Sequence, residues 1–172
     1  MKEHWHLFTD GSVNTQSKVG HGAYLWLKEI SGSAALLKDE IRTKRFESTS
    51  STRLELQTLL WALSERTALN ECTALCDVNK FELTIYTDSQ NIIGLPARRE
   101  RLERNDYFPR NNEEKRLKNY ELYRAFFRLT DSIKCNLVKM EGHQKSSQRD
   151  EFAERFSLVD QAARQALRAD KV

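Results

Sequence analysis

The chain has 172 residues, 28 Lys plus Arg against 25 Asp plus Glu, a formal net charge of +3 and 39% apolar residues. That length suits one domain with a core large enough to fold without a disulfide or metal staple. Two prolines and six glycines exclude a collagen-like or Pro/Gly-rich disordered chain, and no apolar run approaches the roughly 20 residues that span a bilayer.

The N-terminus, MKEHWHLFTDGS, has no n-region, long h-region or small-residue cleavage site, so no signal peptide is expected. The three cysteines, Cys72, Cys76 and Cys135, cannot all pair. They read as reduced, small apolar thiols of a cytoplasmic protein. A zinc site fails because no further His or Cys pair is close enough in sequence to complete four ligands.

Trp5 to Thr9 is an aromatic and β-branched run stopped by Asp10-Gly11-Ser12, a strand and its end. Gly20 to Leu27 carries a second strand, with Asn14 and the glycines supplying the turn before it. After the Ser31-Gly32-Ser33 turn, Ala34 to Phe46 reads as a third strand, so the opening is an antiparallel meander. From Arg53 the period becomes helical, with Leu54, Leu56, Leu59, Leu60, Ala62 and Leu63 forming an apolar stripe. Phe81 to Thr87 alternates as a strand and ends at Asp88-Ser89, which can cap a short helix through Leu95.

Arg98 to Lys118 holds eight bases and five acids, an excess equal to the net charge of the whole chain, with Tyr107 and Phe108 embedded. A basic stretch with aromatics fits a nucleic-acid surface, and a solvated helix of alternating charge fits equally well. Tyr120 to Leu129 is an amphipathic helix, Asn136 to Met140 a short strand ended by Gly142-His143, and Asp150 onward a last helix. Three early strands followed by alternating elements imply an α/β fold: one mixed sheet flanked by helices, in a single domain over 1–172.

Asp10 and Asp88 follow the first and fourth strands, which can lie side by side in such a sheet. Carboxylates gathered at one edge repel unless a cation neutralises them, and oxygen ligands without His or Cys suit Mg²⁺ or Mn²⁺. Glu55 on the first long helix and Asp160 on the last can complete the cluster. Each also has a plainer role. Asp10-Gly11 and Asp88-Ser89 can be turns, Thr52-x-x-Glu55 fits a capping box, and Asp160 can be a surface residue.

The chain resembles type 1 ribonuclease H along nearly its whole length, through five ordered motifs: Thr9-Asp10-Gly11-Ser12, Thr52-Arg53-Leu54-Glu55-Leu56, Thr87-Asp88-Ser89-Gln90, Gly142-His143, and Val159-Asp160-Gln161-Ala162-Ala163-Arg164. Each is weak alone, and their order on the expected elements makes the set specific. The resemblance implies a five-stranded mixed sheet flanked by helices, and hydrolysis of the RNA strand of an RNA–DNA hybrid with two divalent ions, Mg²⁺ or Mn²⁺. It implies Asp10, Glu55, Asp88 and Asp160 as metal ligands and His143 as a mobile loop histidine that assists proton transfer or product release.

It further implies hybrid contacts at Ser12, Asn14, Ser51, Thr52, Ser89 and Gln90. A basic protrusion over 96–118 is expected to use Arg98, Arg99 and Arg101 against the substrate. Asp150 competes with Asp160 for the fourth ligand position, lying seven residues after His143 against seventeen. The rival functions are another nuclease of the same superfamily and a nucleic-acid-binding module without turnover. No membrane partner is expected, and nothing in the sequence requires more than a monomer.

Overall fold

A computed structural model describes residues 3–69, 81–141 and 150–170. The first strand, β1, spans Glu3–Asn14 and pairs antiparallel with β2, Val19–Leu27. β1 therefore runs through Asp10-Gly11-Ser12 rather than ending there. Gly11 sits opposite Gly22 across the ladder. A Cβ on Gly11 would come within 2.8 Å of the Leu54 side chain, and one on Gly22 within 2.0 Å of Thr58 Oγ1. The glycine pair thus clears a bare patch of sheet rather than making a turn, and a helix lies down on it.

The expected third strand divides in two. Ala34–Glu40 is a helix, α1, and only Arg42–Phe46 forms the strand β3, antiparallel to β2. Ala-Ala-Leu-Leu-Lys-Asp-Glu consists almost wholly of good helix formers. Leu37 is buried by the turn, whereas Leu36 stays 68% exposed. Ile41 then takes an extended backbone and ends the helix.

The next helix, α2, covers Ser51–Leu69, and β4 covers Phe81–Thr87. β4 runs parallel to β1 and to the last strand, β5, Cys135–Lys139. The sheet order is β3-β2-β1-β4-β5, so the expected five-stranded mixed sheet is present. The short helix after Asp88 is α3, Gln90–Ile93; it breaks at Gly94, and α4, Leu95–Arg104, continues into the charged segment. α5 spans Tyr120–Ser132 and α6 spans Glu151–Ala169.

The two faces of the sheet follow the period-2 alternation of the strands. Leu7, Leu83 and Ile85 face one way, into a core with Leu56, Leu59 and Leu63 of α2 and Phe126 and Phe127 of α5. Phe8, Leu25 and Tyr86 face the other way, against Phe156, Val159 and Ala163 of α6. Arg155 of α6 is buried and donates to the carbonyls of Ile30 and Gly32, tying the loop before α1 to α6. Cys135 is free, and burial pushes its thiol up to about 11, as an inert thiol should be. Cys72 and Cys76 lie outside the described residues. Among those described, no helix is long and apolar enough to cross a membrane.

Candidate active site

β1 and β4 keep a parallel register in which Phe8 stands beside Tyr86. Two residues further along each strand are Asp10 and Asp88. β4 has ended by then, while β1 is still paired on its other side to β2, Asp10 opposite Ala23. The central strand therefore projects an aspartate past its shorter neighbour. α2 crosses the bare glycine patch with Leu54 and Thr58 against it, which brings Glu55, just past its first turn, to the same end of the sheet. α6 packs on the opposite face through Phe156, Val159 and Ala163, and carries Asp160.

All four carboxylates line one open cleft, together with Ser12, Ser51, Glu141 and Arg164. Each side chain has local partners. Asp10 Oδ1 accepts the Gly11 backbone N–H at 2.8 Å. Glu55 Oε2 accepts the Ser89 hydroxyl at 2.5 Å, and its Oε1 accepts that of Ser51 at 3.4 Å. Asp160 Oδ1 pairs with Arg164 Nε at 2.8 Å, one helical turn on. The capping-box role for Glu55 gives way to these two hydroxyls, since Leu54 N already bonds to Ser50 O at the start of the helix.

Crowding like charges in a partly dry cleft has the expected electrostatic result. Burial first, then the neighbouring charge of Asp88, push the Asp10 carboxyl from its ordinary 3.8 up to about 8, against the pull of the Gly11 N–H. A hydrogen bond and the charge of Asp160 add to the rise. Burial and Asp88 also raise Glu55, while Ser89 and Ser51 oppose it. Among the described residues, no three His, Cys, Asp or Glu side chains stand close enough to grip an ion without moving. Asp10 and Asp160 are joined by a hydrogen bond, and the protonated form of Asp10 is favoured beside the charge of Asp88. The donor set is oxygen throughout, with no His or Cys along the described cleft. It therefore fits a hard divalent ion such as Mg²⁺ or Mn²⁺, which would draw the four acids inward.

The RNase H family model matches residues 2–168. The chain belongs to the RNase H family. A crystal structure of LC9-RNase H1, a type 1 RNase H with the type 2 active-site motif, superposes with a TM-score of 0.65 at 15% identity, covering 96% of this chain and 72% of that one. At that identity the likeness is one of fold. No curated protein matches the chain.

In this RNase H, Asp160 and Asp150 stand in different places on α6. Asp160 reaches the cleft from within α6. Asp150 is the N-cap of the same helix, accepts the Ala153 N–H at 2.8 Å, and is not among the residues that line the cleft. The helix starts early, so the acid comes ten residues after its cap rather than near it. His143 lies outside the described residues.

The residues expected to touch the hybrid disperse. Ser12 and Ser51 line the cleft. Asn14 caps the β1–β2 turn through Gln16 N and Ser17 N, near Arg45 and Asp170. Thr52 is half-buried in the first turn of α2, and Gln90 is exposed at the start of α3. Ser89 is buried, 3% exposed.

Arg98 is folded back onto the carbonyls of Asn91 and Gly94. Arg99 makes two bonds to Asp131, at 2.5 and 2.8 Å, pairs with Glu103, and lies over the Phe127 ring. These two arginines splint α4 to its surroundings. Arg101 lines a surface groove with Arg104, Phe108, Pro109 and Arg110. Arg116 and Arg124 both pair with Asp106 and cover the aromatic rings of Tyr107, Phe108 and Tyr120.

The sequence reading assigned no role to Glu141 or Arg164, both at the cleft. Arg164 was visible as the last residue of the fifth motif. Glu141 stood beside Gly142-His143, two residues after the end of β5.

Proposed function

We propose that this RNase H hydrolyses the RNA strand of RNA–DNA hybrids with two divalent ions, Mg²⁺ or Mn²⁺, held by Asp10, Glu55, Asp88 and Asp160. The observation that carries the proposal is the convergence of these acids, from four separate elements, on one cleft whose described lining has only oxygen ligands of the metal-binding types. Family membership supplies the substrate class.

Such ions, when bound, activate the attacking water and stabilise the leaving oxygen. The chain's own residues do the rest. Asp10, hydrogen-bonded to Asp160 and under the charge of Asp88, would be favoured in its ionised form once positive charge entered the cleft. Glu55 is held at its mouth by two hydroxyls. Arg164 holds the Asp160 carboxylate in place. Ser12 and Ser51, on the rim, present short hydroxyls to the hybrid backbone. We assign His143 to proton transfer or product release on the strength of the resemblance alone.

The charged segment serves as the protrusion that holds the hybrid, with a changed set of residues. Arg98 and Arg99 have internal partners, so Arg101 and Arg110, on the groove beside Phe108, are the arginines offered to phosphates.

The test is a hybrid duplex labelled on each strand, incubated with the purified chain in Mg²⁺, in Mn²⁺ and in chelator. Only the RNA strand is cut, and only with an ion present. Equal cutting of double-stranded DNA, or cutting in chelator, overturns the proposal. Binding without cutting under every ion condition favours the module without turnover.

A further inference from the structure

The resemblance places Ser89 among the residues that touch the hybrid, yet the structure buries it. Its side chain is engaged on both sides. The hydroxyl hydrogen goes to Glu55 Oε2 at 2.5 Å, and the oxygen accepts the Ile92 N–H at 3.3 Å as the N-cap of α3. The backbone is pinned as well, with Ser89 N donating to Thr87 Oγ1 at 3.2 Å and Ser89 O accepting from Ile93 N at 3.0 Å. A serine hydroxyl has a single hydrogen. With that hydrogen spent on Glu55 and the residue covered, it has no donor left for a base or a phosphate.

The bond spans 34 residues of sequence and joins two elements that each carry an acid of the site. Ser89 follows Asp88 directly, so the turn that supplies one carboxylate also steers another. The other oxygen of Glu55 has only the longer contact from Ser51. Without the Ser89 hydroxyl, a long and rotatable glutamate would be left to find its place at the mouth of the cleft.

We infer that Ser89 is a positioning residue for Glu55, acting on ion binding through that carboxylate and not on the hybrid. This rests on the reading of Glu55 as a metal ligand. Hydrogen bonds from outside the ligand set orient the ligands themselves, and losing one commonly weakens metal affinity about 10-fold or more.

The experiment is calorimetric titration of Mn²⁺ into the full chain, without substrate, for wild type, Ser89→Gly, Glu55→Gln and the double variant. Glycine is nearly as good an N-cap as serine, so Ser89→Gly removes the donor while sparing α3. Ser89→Ala carries the same comparison should the glycine variant not fold. Ser89→Gly is expected to bind Mn²⁺ about 10-fold more weakly. In the Glu55→Gln background the same change should cost nothing further, because the two residues act as one unit. Ser89→Thr, which keeps the hydroxyl, should bind close to wild type.

Unchanged Mn²⁺ affinity in Ser89→Gly overturns the inference, and so does an equal additional loss in the double variant. A weaker hybrid affinity in chelator with Mn²⁺ binding intact returns Ser89 to the substrate. If wild type binds no Mn²⁺, the reading of the acids as metal ligands falls too, so the two failures are told apart.

Discussion

Asp10→Asn should make the ion-free protein more stable, and by an amount that depends on pH. In the fold the Asp10 carboxyl keeps its proton up to about 8, whereas in the unfolded chain it ionises around its ordinary 3.8. Between those values the folded chain holds a proton that the unfolded chain releases. Stability therefore falls as pH rises through that window and levels off above about 8.

Each unit of difference is worth about 1.4 kcal/mol, so at pH ~7 the three-unit gap amounts to ~4 kcal/mol. Asparagine has the same shape and needs no proton to stay neutral beside Asp88 and Asp160. A gain of roughly 2–4 kcal/mol at neutral pH is expected, or roughly 5–15 °C in Tm for a chain of this size. The assay is thermal unfolding by circular dichroism in chelator, from about pH 5 to about pH 8. The two proteins should be close at the acid end and diverge as pH rises. Mn²⁺ should raise the Tm of wild type, because the ion takes over from the proton, and raise that of Asp10→Asn much less. Parallel pH profiles, or a variant less stable than wild type at neutral pH, would refute the electrostatic account of the cleft.

Two further predictions separate neighbouring residues with different roles. Asp160→Asn should abolish turnover with the fold intact, whereas Asp150→Ala should keep activity and lose ~1 kcal/mol in urea unfolding, the usual cost of an N-cap. The reverse pattern of activities would make Asp150 the fourth ligand. Neutralising Arg101 or Arg110 should lower the slope of log affinity for the hybrid against log salt by about 1 each, and neutralising Arg98 or Arg99 should leave it unchanged. Equal slopes for all four variants would return the segment to a plain solvated surface.

The fold was legible where one element dictates its own pattern. The alternation of Phe81–Thr87 and the apolar stripe of α2 depend on period alone, and both were read correctly. Asp10 and Asp88 were expected at one edge because neighbouring strands suffice to put them there, although β1 runs on past Asp10. The misreadings come from residues whose meaning depends on a distant partner. Gly11 looks like a turn until Gly22 is set opposite it and α2 is laid on the pair. Ala34–Glu40 lies between two turn signals where a strand was expected, and only Leu37, buried against the α6 side of the sheet, shows that a helix is used.

Arg99 looks free in a charge run, and its partner Asp131 is 32 residues away on α5. Ser89 belongs to a motif read as a substrate contact, and its burial depends on Glu55 arriving from another element. The places of Asp150, at the cap, and Asp160, at the cleft, depend on where α6 begins. A cap and a cleft residue can belong to one helix only if that helix starts well before the site.

The central claim is that four acids from β1, α2, the end of β4 and α6 bind divalent ions to cut RNA in a hybrid. Strand-resolved cleavage of a labelled RNA–DNA duplex by wild type and by Asp88→Asn, with chelator and then with Mn²⁺ restored, tests it most directly. The account predicts RNA-strand cutting by wild type that stops in chelator and returns with the ion, and none by Asp88→Asn under any condition. Cutting by Asp88→Asn at the wild-type rate, or by wild type without an ion, would contradict it.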